Sequence, residues 1–283
     1  MGDVVVGVDG SEHSRWALHW ATYVGERTGR RVRAVQAWEY PAVSVVPGSE
    51  PPADLDEMDL RTAEALAAVV REELAEMDGA VECSVLRGPA AGAILEAADD
   101  ADLLVLGSRG RGGFRGLLLG SVSRQCVEHA GCPVLIARGD LPATDASPIV
   151  VGVDGSPGAE QALRWAYALA DAAKRPLVVT HAWRTTYSEV RPSLHERLES
   201  EARARAQRFC DAVHPGETDV TLVVAQGDPR DVLSAVAERQ GADLIVVGRR
   251  GEGPLRALRI GSVANHLLRA APRALAVIPP GRE

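Results

Sequence analysis

A glycine-rich segment at residues 107–121 combines residue types and a spacing that suit the binding of phosphate groups. It reads GSRGRGGFRGLLLGS and directly follows a short apolar run at residues 103–106. Glycine lets backbone amides approach an anion without an intervening side chain. The helix predicted from Val122 adds the unpaired N–H groups of its first turn and the positive end of its dipole. The segment therefore has the construction of a phosphate cradle.

The chain contains this construction twice. Residues 248–262 read GRRGEGPLRALRIGS and repeat the order of a glycine, two residues, a glycine, nine residues and then Gly-Ser. Neither copy contains a lysine, and Lys174 is the only lysine of the chain. A Walker-type P-loop needs a lysine before its Ser or Thr to neutralise the β- and γ-phosphates. P-loop catalysis and lysine Schiff-base catalysis are therefore both disfavoured.

The composition indicates a globular protein whose charge does not suit nucleic acid. The length of 283 residues fits two domains, and 46% apolar with 25% charged residues fits packed cores. A formal charge of -8 disfavours general nucleic-acid binding, which needs a basic surface. The four cysteines and seven histidines lack metal-ligand spacing, so we expect buried free thiols and no metal site. The first residues, MGDVVVGVDG, indicate neither a signal peptide nor a membrane span, and we expect a cytoplasmic protein.

Hydrophobic periodicity predicts strands that alternate with helices along both halves of the chain. Short β-branched runs such as residues 4–8 are typical of strands that are buried on both faces. Ser14 is predicted as the N-cap of the first helix, and residues 40–54 as a long loop. The alternation predicts an α/β fold of two tandem doubly wound domains, each a five-stranded parallel sheet with helices on both faces. The other strands are predicted from residue 149 and at 32–37, 81–86, 103–106, 134–137, 177–182, 220–225, 244–247 and 274–278, and helices at 14–27, 60–77, 91–98, 122–129, 160–172, 193–213, 230–240 and 263–270.

An internal repeat divides the chain into two similar halves. IVVGVDGS at residues 149–156 matches VVVGVDGS at residues 4–11, which is an offset of 145. The glycine-rich segments are offset by 141, since 248 minus 107 and 261 minus 120 both give 141, so four residues are lost in between. We expect this loss in residues 184–213, where a loop and a long helix tolerate changes. The predicted domains are 1–138 and 149–283, joined by a polar linker at 139–148.

The position of the binding crevice depends on the order of the strands. In a doubly wound sheet, ligands bind outside the carboxyl ends of the strands, at the point where the strand order reverses. If the first and fourth strands are neighbours, Asp9 and the loop after residue 107 share one crevice. The same condition brings Asp154 to the loop after residue 248.

Several segments together resemble the universal stress protein family. They are VVVGVDGS, DLLVLGSRGRGGF, LLLGSVS and CPVLIAR in the first half, and IVVGVDGS, DLIVVGRRG, RIGSVA and PRALAVIPP in the second. The resemblance covers nearly the whole chain as two tandem domains. It implies a Rossmann-like fold of the adenine nucleotide alpha hydrolase type, and the glycine spacing marks the family's ATP-binding branch. It also implies ATP, with or without Mg²⁺, as the ligand, a homodimer, and a regulatory protein partner that the sequence does not identify. Family members dimerise through the last strand, and a tandem chain can satisfy this pairing internally, with residues 134–137 beside residues 274–278, and dimerise again.

The resemblance implies two sets of site residues. Asp9 and Asp154 would accept hydrogen bonds from the ribose or the adenine, and backbone groups near Ala37 and Ala182 would meet the adenine edge. The glycines and the Gly-Ser-Val steps would hold the phosphates, with Glu252 making the second site the weaker or differently tuned one. The first set is Gly7, Asp9, Ala37, Gly107, Ser108, Arg109, Gly110, Arg111, Gly112, Gly113, Gly120, Ser121 and Val122, and the second is Gly152, Asp154, Ala182, Gly248, Arg249, Arg250, Gly251, Glu252, Gly253, Gly261, Ser262 and Val263.

Each of these residues also has a purely structural interpretation. Asp9 and Asp154 precede glycine, and Asp-Gly is a common turn. Ser121 and Ser262 could be helix N-caps. The arginines of the two loops could form a solvated face: Arg109, Arg111, Arg115, Arg249, Arg250 and Arg256.

The residues leave three classes of function open. The first is an ATP-binding regulator or sensor, and the second is a slow ATPase or a nucleotidyl or phosphoryl transferase. The third is an interaction scaffold with degenerate sites. Binding is favoured over catalysis because no general base and no paired acidic metal ligands are recognisable, and the scaffold is disfavoured because both loops keep every glycine.

Overall fold

The computed structural model describes residues 2–39, 55–75, 81–111, 119–139, 146–185, 192–213, 218–251 and 259–281. The chain divides into two compact units, residues 1–141 and 142–283. The loop predicted at 40–54 lies outside the described residues. Among the helices within these ranges, none is both long and apolar enough to cross a bilayer.

The first unit is a parallel five-stranded sheet in the order β3-β2-β1-β4-β5. The chain moves outward from β1 to β3 and then returns to the other side of β1 as β4, so the strand order reverses between β1 and β4. The elements are β1 (Val4–Gly7), α1 (Glu12–Thr28), β2 (Val32–Trp38), α2 (Leu55–Glu73), β3 (Val81–Arg87), α3 (Ala90–Ala97), β4 (Leu103–Gly107), α4 (Ser121–His129) and β5 (Val134–Ala137).

The second unit repeats this arrangement with strand order β8-β7-β6-β9-β10 and a reversal between β6 and β9. The predicted fold, an α/β architecture of two tandem doubly wound domains, is confirmed. The elements are β6 (Ile149–Gly152), α5 (Pro157–Ala173), β7 (Leu177–Trp183), α6 (Pro192–Val213), β8 (Val220–Gln226), α7 (Pro229–Gln240), β9 (Leu244–Gly248), α8 (Ser262–Ala270) and β10 (Ala274–Ile278).

The core of each sheet lies in its central strands. Every residue of β1 and β4 is buried, which explains their continuous apolar sequences, because a strand covered on both faces has no side for polar residues. Strand β3 lies at the end of its unit's sheet and is mostly half-buried or exposed. Cys83 on β3 is exposed, so the expectation of four buried thiols is wrong at this position. The other three cysteines are buried free thiols: Cys126, Cys132 and Cys210.

The first helix begins earlier than its sequence predicts. Ser11 is the N-cap of α1, and its hydroxyl oxygen accepts a hydrogen bond from Ser14 N at 3.3 Å. The hydroxyl of Ser14, the predicted N-cap, instead donates to Ser11 O at 2.8 Å. In the second unit Ser156 caps α5 in the same way, accepting from Ala159 N at 3.1 Å. The turn after each first strand therefore leads directly into a helix.

The length difference between the two halves arises in two places. From β2 to β3 the connection spans residues 39–80, and from β7 to β8 it spans 184–219, so 42 residues become 36 and six are lost. From β3 to β4 the connection spans 88–102, and from β8 to β9 it spans 227–243, so 15 residues become 17 and two are gained. The net loss of four therefore combines a larger deletion with an insertion around α7, and the predicted single deletion is wrong.

In each unit an ion pair joins the residues just before the second strand to the residue just before the fourth strand. The two ion pairs differ in how deeply they are buried. In the second unit Arg175 has a fully buried side chain, pairs with Asp243, and donates from Nε to Ser147 O at 2.6 Å. In the first unit the equivalent pair is Arg30 Nε to Asp102 Oδ2 at 2.7 Å, with side chains that are 26% and 37% exposed. Solvent therefore screens the Arg30–Asp102 pair more strongly than the buried Arg175–Asp243 pair.

We therefore expect Asp243→Ala to destabilise the protein far more than the matched change Asp102→Ala. Removing Asp243 leaves a buried guanidinium without its carboxylate, which costs about 3–5 kcal/mol. Removing the exposed partner costs about 1 kcal/mol or less. Urea unfolding followed by circular dichroism measures both free energies of unfolding, and equal losses in the two variants would contradict the difference in burial.

Candidate functional site

The carboxyl ends of the first and fourth strands of each unit meet at one crevice. Strand β1 pairs in parallel with β2 and with β4, so that Val6 lies between Ala34 and Val105. Strand β6 pairs in the same way with β7 and β9. The condition on which the predicted sites depended is thus met, because the turn after the first strand and the loop after the fourth strand emerge side by side.

Asp9 connects these two segments in the first unit. Its Oδ1 accepts hydrogen bonds from Ser11 N at 3.0 Å and Ser11 Oγ at 2.6 Å, and its Oδ2 accepts from Arg111 N at 2.9 Å. In the second unit Asp154 Oδ1 accepts from Ser156 N at 3.0 Å. Asp9 therefore stabilises the turn after β1, as the purely structural interpretation predicts. Its carboxylate also anchors the glycine-rich loop.

Asp9 is ionised at neutral pH. Burial raises the pKa of its carboxyl group, but hydrogen bonds from the side chain and backbone of Ser11 and from the backbone of Arg111 outweigh burial and hold the pKa below its ordinary value. An ionised carboxylate only accepts hydrogen bonds. At this position it could accept from a ribose hydroxyl while it still fixes the loop.

The second glycine of each motif lies so close to the aspartate carboxylate that there is no room for a side chain. A Cβ at Gly110 would overlap Asp9 Oδ2, and a Cβ at Gly251 would overlap Asp154 Oδ2. Any side chain at either position would push the loop off the carboxylate. The spacing of the motif thus has a steric cause that involves no ligand directly.

The first glycine of each motif packs against a helix backbone. A Cβ at Gly107 would lie 2.6 Å from the carbonyl carbon of His13 in α1, and a Cβ at Gly248 would lie 2.7 Å from that of Gly158 in α5. Two other predicted site glycines have a similar packing role against side chains. A Cβ at Gly7 would lie 2.6 Å from Leu106 Cδ2, and one at Gly152 would lie 2.8 Å from Leu233 Cδ1.

The third glycine of each motif is the N-cap of the following helix. Gly120 caps α4 and Gly261 caps α8, and neither offers a side-chain acceptor to the first turn. The interpretation of Ser121 and Ser262 as N-caps is therefore wrong, because both are exposed first residues of their helices. By contrast, Ser11 accepts a first-turn amide of α1. The amides that open α4 and α8 are thus left to an external acceptor such as an anion or water.

The cap glycines are held in place by the loop itself. Gly120 N donates to Ser108 O at 2.8 Å, and Gly261 N donates to Arg249 O at 2.8 Å. In the first unit Ser123 Oγ also donates to Gly107 O at 2.7 Å. These bonds fix the start of each helix against the end of the preceding strand. Val122 and Val263 are half-buried second residues of α4 and α8.

The backbone of Ala37 faces the crevice beyond the end of β1. Val8 N donates to Val35 O at 2.9 Å, so the polar groups of Val35 point towards β1. Successive residues of a strand alternate in direction. The N–H and C=O of Ala37, two residues further on, therefore point the same way, past the last residue of β1. This geometry suits recognition of a planar heterocycle edge by a donor and an acceptor.

The second unit repeats this geometry at Ala182. Val153 N donates to Thr180 O at 2.9 Å, and Ala182 lies two residues further along β7. Its N–H and C=O therefore also face the crevice.

The loop arginines differ from one another in burial. Arg111 and Arg250 are exposed, which agrees with a solvated face. Arg109 is half-buried, and its Nε and Nη2 lie 3.1 Å and 2.9 Å from His13 Nε2, so its interpretation as part of a solvated face is wrong. Arg249 is also half-buried: burial, and then the nearby charges of Arg250 and Arg259, lower the pKa of its guanidinium.

Sequence reasoning missed His13, which no motif marks. The only available indication was the comparison of the two halves, and it is weak, because Gly158 lies opposite His13 in a stretch, residues 12–16, in which no residue matches its counterpart at 157–161.

Four of the predicted site residues lie outside the described residues. They are Gly112, Gly113, Glu252 and Gly253. The expected weakening of the second site by Glu252 therefore stays a prediction, as does any role of Arg115 and Arg256. In the part of the chain that the structure describes, no group of three His, Cys, Asp or Glu side chains could hold a metal ion.

Comparisons with known proteins agree with this architecture. A family model, that of the universal stress protein family, matches residues 1–138 and 146–279. Universal stress protein Rv2005c of Mycobacterium tuberculosis is 30% identical over 281 residues, which is 95% of this chain and 94% of the relative. Universal stress protein Rv2623 of the same organism is 28% identical over 279 residues, which is 95% of this chain and 93% of the relative.

Solved structures share the fold over nearly the full length. A universal stress protein from Archaeoglobus fulgidus superposes with a TM-score of 0.68 at 22% identity, covering 99% of this chain and 97% of that one. A putative universal stress protein from Pseudomonas aeruginosa gives a TM-score of 0.69 at 18% identity, covering 99% and 94%.

Fold and crevices together define a tandem, Rossmann-like α/β protein with one candidate ligand site in each unit. The match of the family model to both halves identifies the family, which the fold and the crevices alone do not. The chain belongs to the universal stress protein family.

The low pKa of Asp9 makes its contribution to stability dependent on pH. We expect Asp9→Asn to lower the free energy of unfolding by about 1 kcal/mol at pH 7, because an amide nitrogen cannot accept from Arg111 N. The folded pKa lies below the unfolded one, so the contribution is complete above about pH 4 and is lost as the pH falls through the folded pKa.

Urea unfolding at pH 7, 5 and 3.5 measures the difference between the wild-type protein and this variant. The exposed Asp100→Asn change serves as the control, for which we expect no loss. A variant that is as stable as the wild type at pH 7 would contradict the anchoring role of Asp9.

Proposed function

We propose that this chain is an ATP-binding stress-response regulatory protein with one adenine-nucleotide site in each unit. It would act as a sensor or regulator more than as a catalyst. The observation that carries the proposal is the crevice of the first unit, where Asp9 holds the amide of Arg111 and the following helix has an N-cap, Gly120, with no side-chain acceptor. Family membership adds the expectation that the bound anion is the phosphate chain of ATP, with or without Mg²⁺.

Each part of a nucleotide has a partner of suitable chemistry in the crevice. The backbone groups of Ala37 and Ala182 offer a donor and an acceptor to the adenine edge. The carboxylates of Asp9 and Asp154 suit ribose hydroxyls. The first-turn amides of α4 and α8, with the loop amides before them, suit the phosphates. The regions therefore follow one another in the order in which a nucleotide presents its base, sugar and phosphates.

The same crevice offers little for phosphoryl transfer. Transfer of a phosphoryl group needs metal ligands, a positioned nucleophile and a charge clamp on the phosphates. The loops contain no lysine, and the arginine of the first loop whose contacts are defined, Arg109, bonds to His13. A slow ATPase or a nucleotidyl or phosphoryl transferase is the alternative, and it predicts turnover of added ATP.

A cytoplasmic location, a homodimer and a regulatory protein partner complete the proposal. The net charge of -8 agrees with the expected lack of nucleic-acid binding.

We expect the purified chain to bind two adenine nucleotides, and each of two alanine substitutions to remove one. Gly110→Ala displaces Asp9, and Gly251→Ala displaces Asp154, because a Cβ at either position overlaps a carboxylate oxygen. These positions are better than Gly107 or Gly248, where a Cβ collides with a helix backbone and would damage folding as well. Gly92→Ala is the matched control, since a Cβ there meets nothing within 4 Å.

Chromatography of small molecules released by denaturation, with calorimetric titration of the emptied protein, measures identity and stoichiometry. Two sites in the wild type and in the control, one in each variant, and none in the double variant support the proposal. ADP together with turnover of added ATP supports the alternative. Absence of nucleotide and of binding overturns both, and full stoichiometry in the double variant overturns the site assignment.

A further inference from the structure

We propose that the first nucleotide site is controlled by pH through His13. The neutral imidazole of His13 holds the Arg109 guanidinium by hydrogen bonds, and protonation of the imidazole releases this guanidinium towards the bound phosphates. The second site lacks this control. The inference rests on the proposed function and adds a regulatory input to one of its two sites.

The contact between His13 and Arg109 defines a single protonation state. Arg109 Nε and Nη2 both lie within hydrogen-bond distance of His13 Nε2, at 3.1 Å and 2.9 Å. A guanidinium has donors only, so Nε2 must carry its lone pair. The imidazole is therefore neutral, with its proton on Nδ1. Protonation of Nε2 would remove the acceptor and place two cations in contact.

Charged groups from four segments surround this imidazole. Burial lowers the pKa of His13, and the charge of Arg109 in the loop after β4 lowers it further. Glu12 in α1 and Asp9 after β1 raise it, and Arg138 after β5 lowers it. The net pKa lies below its ordinary value, so the imidazole is neutral at neutral pH and gains its proton only at a lower pH than an ordinary histidine.

The ring is also fixed in place by packing. His13 meets Trp16 edge to face, with ring centroids 4.7 Å apart, and its own backbone packs against Gly107. Protonation therefore acts mainly on the partner, Arg109, whose side chain is attached to a loop rather than to a helix.

Arg109 lies beside the proposed phosphates. A Cβ at Gly120, the N-cap of α4, would lie 3.6 Å from Arg109 Cα. A guanidinium released from His13 at this point can reach an anion at the start of α4, and the new imidazolium adds a second positive charge nearby. Both changes attract a polyphosphate. Because proton binding and nucleotide binding are linked, nucleotide in the first site raises the pKa of His13. For the same reason, a fall in pH tightens the binding of nucleotide to the first site.

The second site has the same loop arginine position without a titratable partner. Offsets of 145 and 141 place Gly158 opposite His13 and Arg250 opposite Arg109. Gly158 is close to the loop backbone, because a Cβ there would overlap Arg250 O. Arg250 is exposed. The second site therefore serves as an internal comparison, because it has a glycine in place of the imidazole that contacts the loop arginine.

Calorimetric titration with ATP between pH 5.8 and 7.5 tests the proposal, with Gly251→Ala isolating the first site and Gly110→Ala the second. The ATP phosphates titrate in this range too, but their effect is common to both sites. We expect the first site to tighten about three- to tenfold relative to the second as the pH falls, which corresponds to a pKa shift of up to about one unit on binding. His13→Gln in the Gly251→Ala background should abolish this difference.

Nuclear magnetic resonance of the nucleotide-free protein provides a readout that does not need binding. We expect the pKa of the His13 ring to lie below the ordinary value for histidine, and Arg109→Gln to raise it because that change removes a neighbouring cation. An unchanged pKa in this variant, or equal pH dependence at the two sites, overturns the proposal. Failure of both sites to bind ATP at every pH overturns the proposed function instead, while the ring titration still decides whether His13 and Arg109 are coupled.

Discussion

The hydrogen bond from Arg111 N to Asp9 Oδ2 is the constraint on which the first candidate site depends, because it joins residues 102 positions apart across the crevice. It requires β1 and β4 to be neighbours, as they are in the strand order of this doubly wound sheet. It also requires a glycine at position 110, since a Cβ would occupy the place of the carboxylate oxygen. Fold and motif are thus linked by one contact, and the low pKa of Asp9 keeps that contact charged.

The motif glycines have three separate physical causes, although they belong to one pattern. Gly107 allows the strand to end against the backbone of α1, Gly110 allows the loop to meet Asp9, and Gly120 leaves the first turn of α4 without a side-chain cap. The first two causes would hold without any ligand. Only the third leaves backbone donors for an external acceptor, so the presence of the glycines alone is weaker evidence for binding than their positions in the structure.

Much of the fold and of the site could be predicted from the sequence, and the failures have identifiable reasons. Continuous apolar runs such as β1 and the glycine spacing depend on local physics, so the elements and the loops were found. The N-caps were misassigned at Ser14 and Ser121, because a serine near a helix start has two possible roles that only backbone geometry separates. The exposure of Cys83 follows from the place of β3 at the end of its unit's sheet, which local sequence does not encode. Contact between His13 and Arg109 joins two segments that no motif connects.

The two units show what a repeated backbone leaves free to vary. Strand order, the aspartate in the turn after the first strand and the glycine N-cap after the fourth strand recur in both units. The residues around the crevice need not recur, and His13 opposite Gly158 is one such difference. A cradle built from backbone amides adds no titrating group of its own to the binding of an anion, because amides do not titrate in the physiological range. Dependence on conditions must then come from side chains at the rim, and in the first unit the only imidazole that contacts a loop arginine in the described part of the chain is that of His13. Two sites with the same cradle can therefore bind the same nucleotide and still respond to different conditions.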